Sequence, residues 1–484
     1  MLTENEITRF IQEDKTSTKK RFARVGQDYY EGIHDILNYQ LYYYNADGQL
    51  TEDKTRTNIK ISHPFFTELV DQEAQYMLSG DDSFIKSDIP ELQTKLDEYF
   101  NENEDFSTEL YDLLTGCIAK GFDYMYAYTN KEGKISFQCA DSLGVVEVRA
   151  KDTQDNCDYV IYWYIDRIAK DNQVIKKIQV WDKSQTYFYV QKADGKMELD
   201  DSYEINPRPH ILYKKEGKEQ IYYDGFGFIP FFRLDNGNKQ FSGLKPIKAL
   251  IDDYDLMSCG LSNNLQDISE GIYVVSGFQG DNLDELITNV KTKKMIGVDN
   301  GGSLDIKTID IPYEARKTKL ELDEKNIYRF GFGLDISGLK DTSATTNIAI
   351  KSAYSLLDLK CNKLELRLKQ FLRKIIKVVI DQINSEEGTD YQQKDVYFKF
   401  EREVPINAQE NAQIELTEAQ TQQTMINSLL NVQSVLDNET LVQQICDILD
   451  LDYDDLKNKL PVDETAATNE ATNAVNNIIP EGLS

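Results

Sequence analysis

The segment SGLKPIKALIDDYDLMSCGLSNNLQDIS (242–269) steps its apolar residues by three or four: Ile247, Ile251, Tyr254, Met257, Leu261, Leu265 and Ile268. That period gathers them on one stripe of an α-helix. Pro246 suits a helix first turn, where its missing N–H would go unpaired in any case. The spacing predicts one amphipathic helix over 245–268. A helix that long needs support from whatever flanks it.

Downstream the texture changes. An apolar strand IYVVS (272–276) precedes a helical pattern across NLDELITNV (282–290). KMIGV (294–298), the turn NGG and SLDIKTIDI (303–311) come next. Strand, helix and two strands in so short a span make a small α/β module. After Pro312 a second helix, YEARKTKLELDEKNIYRF, is less cleanly amphipathic. Then GLDISGLKDTS (333–343) nearly matches the phosphate-cradling loop G-x-x-x-x-G-K-[ST], with Leu339 inserted before Lys340.

That insertion is decisive. A phosphate loop needs the lysine immediately after the second glycine, a buried strand before the loop and a helix directly after it. Here Leu339 puts Lys340 out of register, Asp341 sets a carboxylate where phosphate would sit, and the preceding Ile327–Phe332 continues a helix. The segment reads as a polar interhelical loop that glycines 331, 333 and 338 loosen, with Thr346 or Asn347 capping the next helix. From Ile348 to about Ile383 runs the longest helical pattern. Leu357, Cys361, Leu364, Leu368, Phe371, Ile375 and Val378 alternate steps of four and three. At 1.5 Å per residue this helix would be roughly 50 Å long.

Upstream, residues 1–120 read as helices, among them FTELVDQEAQYML (66–78). At Gly121 the period shifts to two: Tyr124, Tyr126 and Tyr128 alternate with Met125 and Ala127, and NKEG turns the chain into Ile135–Phe137. Strand patterns recur at 159–165, 178–190 and 211–234, so the whole is α+β. A last strand is expected at 394–402. The final eighty residues are rich in Gln, Asn and Glu, with only Lys457 and Lys459 as bases. They end in a tail of low hydrophobicity.

Net charge is −29, from 83 acids and 54 bases in 484 residues. This excludes a protein that wraps nucleic acid by neutralising it, though not one past which nucleic acid slides. Six scattered cysteines without a C-x-x-C pair read as buried thiols in a reducing compartment. No secretory signal or membrane span is visible. His34, His63 and His210 lie far apart in sequence with no metal-ligand spacing, and no G-x-S-x-G elbow appears. Asp450-x-Asp452-x-Asp454 fails as a calcium loop at Asp455, where glycine is needed, and at Pro461, where glutamate is needed. Neither a metal nor a cofactor is expected.

The order of elements resembles the portal proteins of tailed double-stranded DNA bacteriophages, the long-tailed-phage branch. DYYEGIHDI (28–36), NIKISHPFFTELVDQEAQYMLSG (58–80), GFDYMYAYTNKEGKISF (121–137) and GFIPFFRLDNGNKQFSGLKPIKALIDDYD (227–255) carry the likeness. NLQDISEGIYVVSGF (264–278) and TSATTNIAIKSAYSLLDLK (342–360) extend it.

The resemblance implies a ring-forming, non-enzymatic fold. A wing would occupy 1–242, stem helix 1 243–268, a clip 269–311, stem helix 2 312–332 and a tunnel loop 333–347. A long wing helix with its return strand would occupy 348–404, and a crown with an acidic tail 405–484. It also implies a ring of about twelve subunits at one capsid vertex of the virion, assembled in the host bacterial cytoplasm. Double-stranded DNA would pass through the channel. The partners would be the terminase large subunit, the major capsid and scaffolding proteins and a head-completion adaptor, with no membrane.

By that resemblance, Ser337, Lys340, Asp341, Thr342, Ser343, Thr345, Thr346 and Asn347 would line the tunnel loop. Lys291, Lys293, Lys294 and Asn300 would face partners or DNA at the clip. Two other readings stay open: another ring-forming virion protein such as an adaptor or baseplate component, and an acidic cytosolic hydrolase.

Overall fold

The computed structural model describes residues 1–45, 47–54, 56–80, 84–130, 133–149, 157–168, 174–192, 195–214, 221–267, 272–276, 301–307, 312–335, 347–403, 408–432 and 438–449. The chain forms two compact units. One comprises Met1–Asp341 with Ser352–Val404, the other Thr342–Lys351 with Pro405–Ser484.

The first unit opens with α1 (Glu4–Lys15) and α2 (Thr18–Tyr30). Thr3 and Glu6 close a capping box on α1, the Thr3 N–H donating to Glu6 Oε2 at 2.9 Å. An exposed antiparallel hairpin pairs β1 (Tyr42–Tyr44) with β2 (Leu50–Glu52). Next come α3 (Phe65–Met77), β3 (Ile85–Ser87), α4 (Pro90–Leu96) and α5 (Glu104–Lys120). Helix α5 stops at Gly121, whose φ of 95° is left-handed and whose N–H donates to Cys117 O at 2.8 Å. A β-carbon there would also stand 2.4 Å from Gln240 O, so both conformation and space demand glycine.

Beyond Gly121 the expected change of period appears as strands. They are β4 (Phe122–Thr129), β5 (Ile135–Ala140), β6 (Val145–Arg149), β7 (Cys157–Ile168), β8 (Val174–Trp181), β9 (Gln185–Gln191), β10 (Met197–Leu199), β11 (Arg208–Pro209), β12 (Ile211–Lys214), β13 (Ile221–Asp224) and β14 (Phe231–Asp235). One sheet runs β14-β4-β5 and another β10-β9-β8-β7-β6, with β11 on β9; β12 and β13 form a hairpin. All these pairings are antiparallel. Tyr126 explains the aromatic density of β4. Its ring stacks on Phe231 at 5.1 Å and lies 5.4 Å from Trp181, joining the two sheets.

The helix expected over 245–268 is α6 (Lys248–Asp267). Pro246 falls in the turn leading into it, where Lys248 N donates to Leu244 O at 2.8 Å, and not within the helix itself. The expected apolar stripe is buried only at its start. Ile247, Ile251, Asp255 and Cys259 are the buried positions, four apart, while Leu265 is 58% exposed.

Antiparallel strands β15 (Ile272–Ser276) and β16 (Ser303–Lys307) come next. The expected helix at 282–290 and strand at 294–298 lie outside the described residues. Then come α7 (Tyr313–Gly331) and α8 (Asn347–Glu387). At 41 residues α8 is ~60 Å long. All seven residues of its predicted stripe are buried, between 0% and 3% exposed. They complete the main core against α3, α5 and β4. The return strand is shorter than the expected 394–402. Residues Gln393–Asp395 form a 3-10 turn, and only β17 (Val396–Phe398) is strand, paired with β3.

In the second unit, α9 (Ala408–Asn431) packs on α10 (Asn438–Leu449) through Ile426, Leu441 and Ile445. The tail beyond 449, with Asp450 to Asp455 and Pro461, lies outside the described residues.

Candidate functional site

Helices α6 and α7 bracket β15 and β16, and their contacts run in opposite order along the chain. Gly260 meets Arg316, Asp253 meets Lys319 and Ile247 meets Gly331. The pair is therefore antiparallel, with Ile247 and Gly331 at the end embedded in the core. At the other end α7 is exposed: its buried residues, Asp323, Ile327, Tyr328 and Gly331, all lie in its second half. The geometry is a two-helix arm rooted at one end.

Polar side chains fasten that root. His34 Nδ1 bonds Asp255 Oδ2 at 2.7 Å, and His63 Nδ1 bonds Asp255 Oδ1 at 2.7 Å. The His63 N–H also donates to Asp255 Oδ1 at 3.0 Å. The Asp255 side chain is fully buried. Burial alone would raise its pKa, but the hydrogen bonds from His34 and His63 hold it below the ordinary carboxylate value. On α7, Lys319 pairs with Asp253 at 2.5 Å and more closely with Asp323, while Tyr328 Oη donates to Glu68 Oε2 at 2.7 Å. The two histidines that stand far apart in sequence thus share one carboxylate. Asp255 had a signal of its own, a carboxylate four residues from Ile251 and from Cys259 on the core-facing side of α6. An acid there needs a buried partner.

The start of the loop after α7 is fixed, and this corrects the expectation that glycines 331 and 333 loosen it. Both are buried against α3. A β-carbon on Gly333 would stand 2.0 Å from Leu69 Cδ2, and one on Gly331 2.7 Å from Leu69 Cδ1. These glycines permit close approach, not freedom. The left-handed residue that ends α7 is Phe332, with φ of 58°. Gln72 then clamps the chain from both sides: its Oε1 accepts from Leu334 N at 2.9 Å and its Nε2 donates to Leu334 O at 3.2 Å. Leu69 and Gln72 were not legible as partners, because more than 250 residues separate them from Leu334.

Of the predicted loop residues, Asn347 opens α8. Ser337, Lys340, Asp341, Thr342, Ser343, Thr345 and Thr346 lie outside the described residues, as do Lys291, Lys293, Lys294 and Asn300. Among the described residues no group of His, Cys, Asp and Glu is arranged to hold a metal ion, and no helix is long and apolar enough to cross a membrane.

Comparison with known proteins bears on what such an arm serves. The chain is 28% identical over 351 residues to the portal protein of Bacillus phage SPP1, covering 72% of this chain and 67% of that one. It is 25% identical over 410 residues to the portal protein of Clostridium phage phiCD119, covering 78% and 85%. Among solved structures, a chain from the neck of a native GTA particle aligns with a TM-score of 0.38 and 12% identity, over 80% of this chain and 91% of that one. That likeness is too loose to argue from. The family described as "Phage portal protein, SPP1 Gp6-like" matches residues 9–450, a span that takes in the arm, its root, α8 and the α9–α10 pair. The chain belongs to that family of phage portal proteins.

Proposed function

We propose that this portal protein assembles into a ring of about twelve subunits at one capsid vertex, and that DNA enters and leaves through the ring without being chemically altered. The family match across residues 9–450 carries the reading. In it, residues 1–242 form the wing, α6 and α7 the stem, 269–311 the clip and 333–347 the tunnel loop. Helix α8 with β17 completes the wing, and 405–484 form the crown.

A net charge of −29 suits the task, since acidic walls repel phosphates and let a duplex slide. The interior end of the arm is pinned by Asp255, His34 and His63, while Gln72 holds the chain where the loop leaves it. The loop residues from Ser337 to Asn347, with Lys340 beside Asp341, then meet the DNA backbone weakly and reversibly. At the clip, Lys291, Lys293, Lys294 and Asn300 serve docking of the terminase large subunit and later of a head-completion adaptor. Capsid and scaffolding proteins contact the wing, and assembly takes place in the host cytoplasm. The energy for transport comes from the terminase, because GLDISGLKDTS lacks the register that a nucleotide loop requires.

Native mass spectrometry of the purified chain with negative-stain imaging tests the reading. Closed rings of about twelve copies are expected. A monomer under every condition of salt and concentration would overturn it.

A further inference from the structure

The buried stripe of α8 has a counterpart on the opposite side of the same helix. Positions 352, 356, 359, 363, 366, 370, 373 and 377 also alternate steps of four and three, and all are exposed. Leu356 is 37% exposed, Leu359 62% and Leu366 68%. Toward the C-terminal half the same stripe becomes basic, through Lys363, Arg373 and Lys377 with Lys374 beside them.

Residues 352–381 carry seven bases against three acids, a net +4 within a chain of net −29. Some of these bases have work inside the fold: Lys360 pairs with buried Glu73 at 2.8 Å and Lys369 with Glu365 at 2.7 Å. Lys363, Lys374 and Lys377 make no ion pair among the described residues. A helix face with three exposed leucines and a run of unpaired bases calls for a partner that is apolar in part and acidic in part.

The same compact unit offers such a surface elsewhere. Strand β10 is the edge of its sheet. At its end Leu199 is 49% exposed, and in the following turn Ile205 is 38% exposed, with Asp201 and Glu204 exposed between them. Neither acid makes an ion pair among the described residues. Buried Asp200, by contrast, is held by Lys177.

We propose that the outward stripe of α8, from Leu356 to Lys377, is a face between neighbouring copies of this chain, and that it seats on the Leu199–Ile205 patch of the next copy. The proposal rests on the ring reading above and names a contact within it. Two unlike patches on one unit give a head-to-tail contact, which closes into a ring when the rotation per subunit allows. Leucines meet Leu199 and Ile205, while Lys374 and Lys377 meet Asp201 and Glu204. The seven residues of the Leu199–Ile205 seat reach at most ~23 Å, and at a helix width of ~10 Å they cover roughly a quarter of the ~800 Å² per partner usual for a specific interface. The stripe is thus one part of the subunit contact.

The test uses the full chain. Leu359→Glu with Leu366→Glu alters only exposed positions, so its thermal midpoint should stay near that of the parent. The concentration at half-assembly, read by native mass spectrometry, should rise at least about 30-fold, as loss of a hot spot does. Lys374→Glu with Lys377→Glu should weaken assembly, and adding Asp201→Lys with Glu204→Lys should restore it. Rings from the parent and equally strong rings from the leucine variant would overturn this inference and leave the ring reading standing. Weakening without charge-swap rescue would overturn the seat on Leu199–Ile205. Normal rings that fail only to enter capsids would assign the face to another virion protein and overturn it as well. A parent that never leaves the monomer would overturn both readings.

Discussion

Leu69 and Gly333 touch so closely that any larger residue at position 333 must push the leucine aside: a β-carbon there would lie 2.0 Å from Leu69 Cδ2. The contact fixes where the chain leaves α7. Gly333→Ala should therefore cost about 1–3 kcal/mol by overpacking, measured as a fall in the denaturation midpoint. In a double-mutant cycle Gly333→Ala should cost less in the Leu69→Ala background than in the parent, because removing the isobutyl group makes room for the new methyl. Equal stability of parent and Gly333→Ala would contradict the contact.

Asp255 binds His34 and His63 at once, so removing it strands two imidazoles. Asp255→Ala should lower stability by about 1–3 kcal/mol, as leaving buried hydrogen-bonding groups without a partner does. Because the folded pKa of Asp255 is depressed, its contribution is whole above the unfolded value and is lost as pH falls through the lower folded one. The parent and variant should accordingly draw closer in stability at acid pH. Denaturant titrations at several pH values measure this.

His210 also loses its contribution toward acid, but in a higher pH window than Asp255. Buried against Trp181 and Phe226, it has a pKa pushed down to about 4, burial outweighing the pull of Asp182. The unfolded chain takes up a proton near pH 6.5 that the folded chain refuses. Stability is thus full above that value and declines as pH falls toward about 4. His210→Phe, which keeps the ring, should flatten this decline by on the order of 3 kcal/mol. An unchanged slope between about pH 7 and about pH 4 would refute the assignment.

For the loop, Lys340→Ala with Asp341→Ala should leave ring assembly and melting unchanged and reduce packaged DNA per particle. Assembly defects without any packaging defect would show that the segment only connects two helices.

Helix α8 was legible because the seven residues of its stripe, from Leu357 to Val378, all of them buried, repeat a period that no loop imitates. The root of the arm was not. His34, His63 and Asp255 each look ordinary in their own neighbourhoods, and only the packing of α6 against residues 34–63 joins them. Glycines 331 and 333 were visible, yet their cause was read as freedom, since a glycine required by a neighbour as distant in the chain as Leu69 looks in sequence like one required by its own backbone. The stripe of α6 misled in a milder way. Period alone predicts burial along a whole helix, whereas α6 leaves the core after its third turn, so that Leu261 is only half-buried and Leu265 is exposed.

The ladder between Ile85–Ser87 and Val396–Phe398 has a bearing on how the molecule comes into being. Its two halves are separated by more than 300 residues, so nothing short of a nearly finished polypeptide can close it. The long helix just before β17 is the last layer to reach the main core, and α3 and α5 wait for it throughout synthesis. A chain cut short by the ribosome would leave that apolar trough open and be caught by chaperones or proteases. Closure of this core therefore waits on translation past Phe398, in whatever order the earlier elements form.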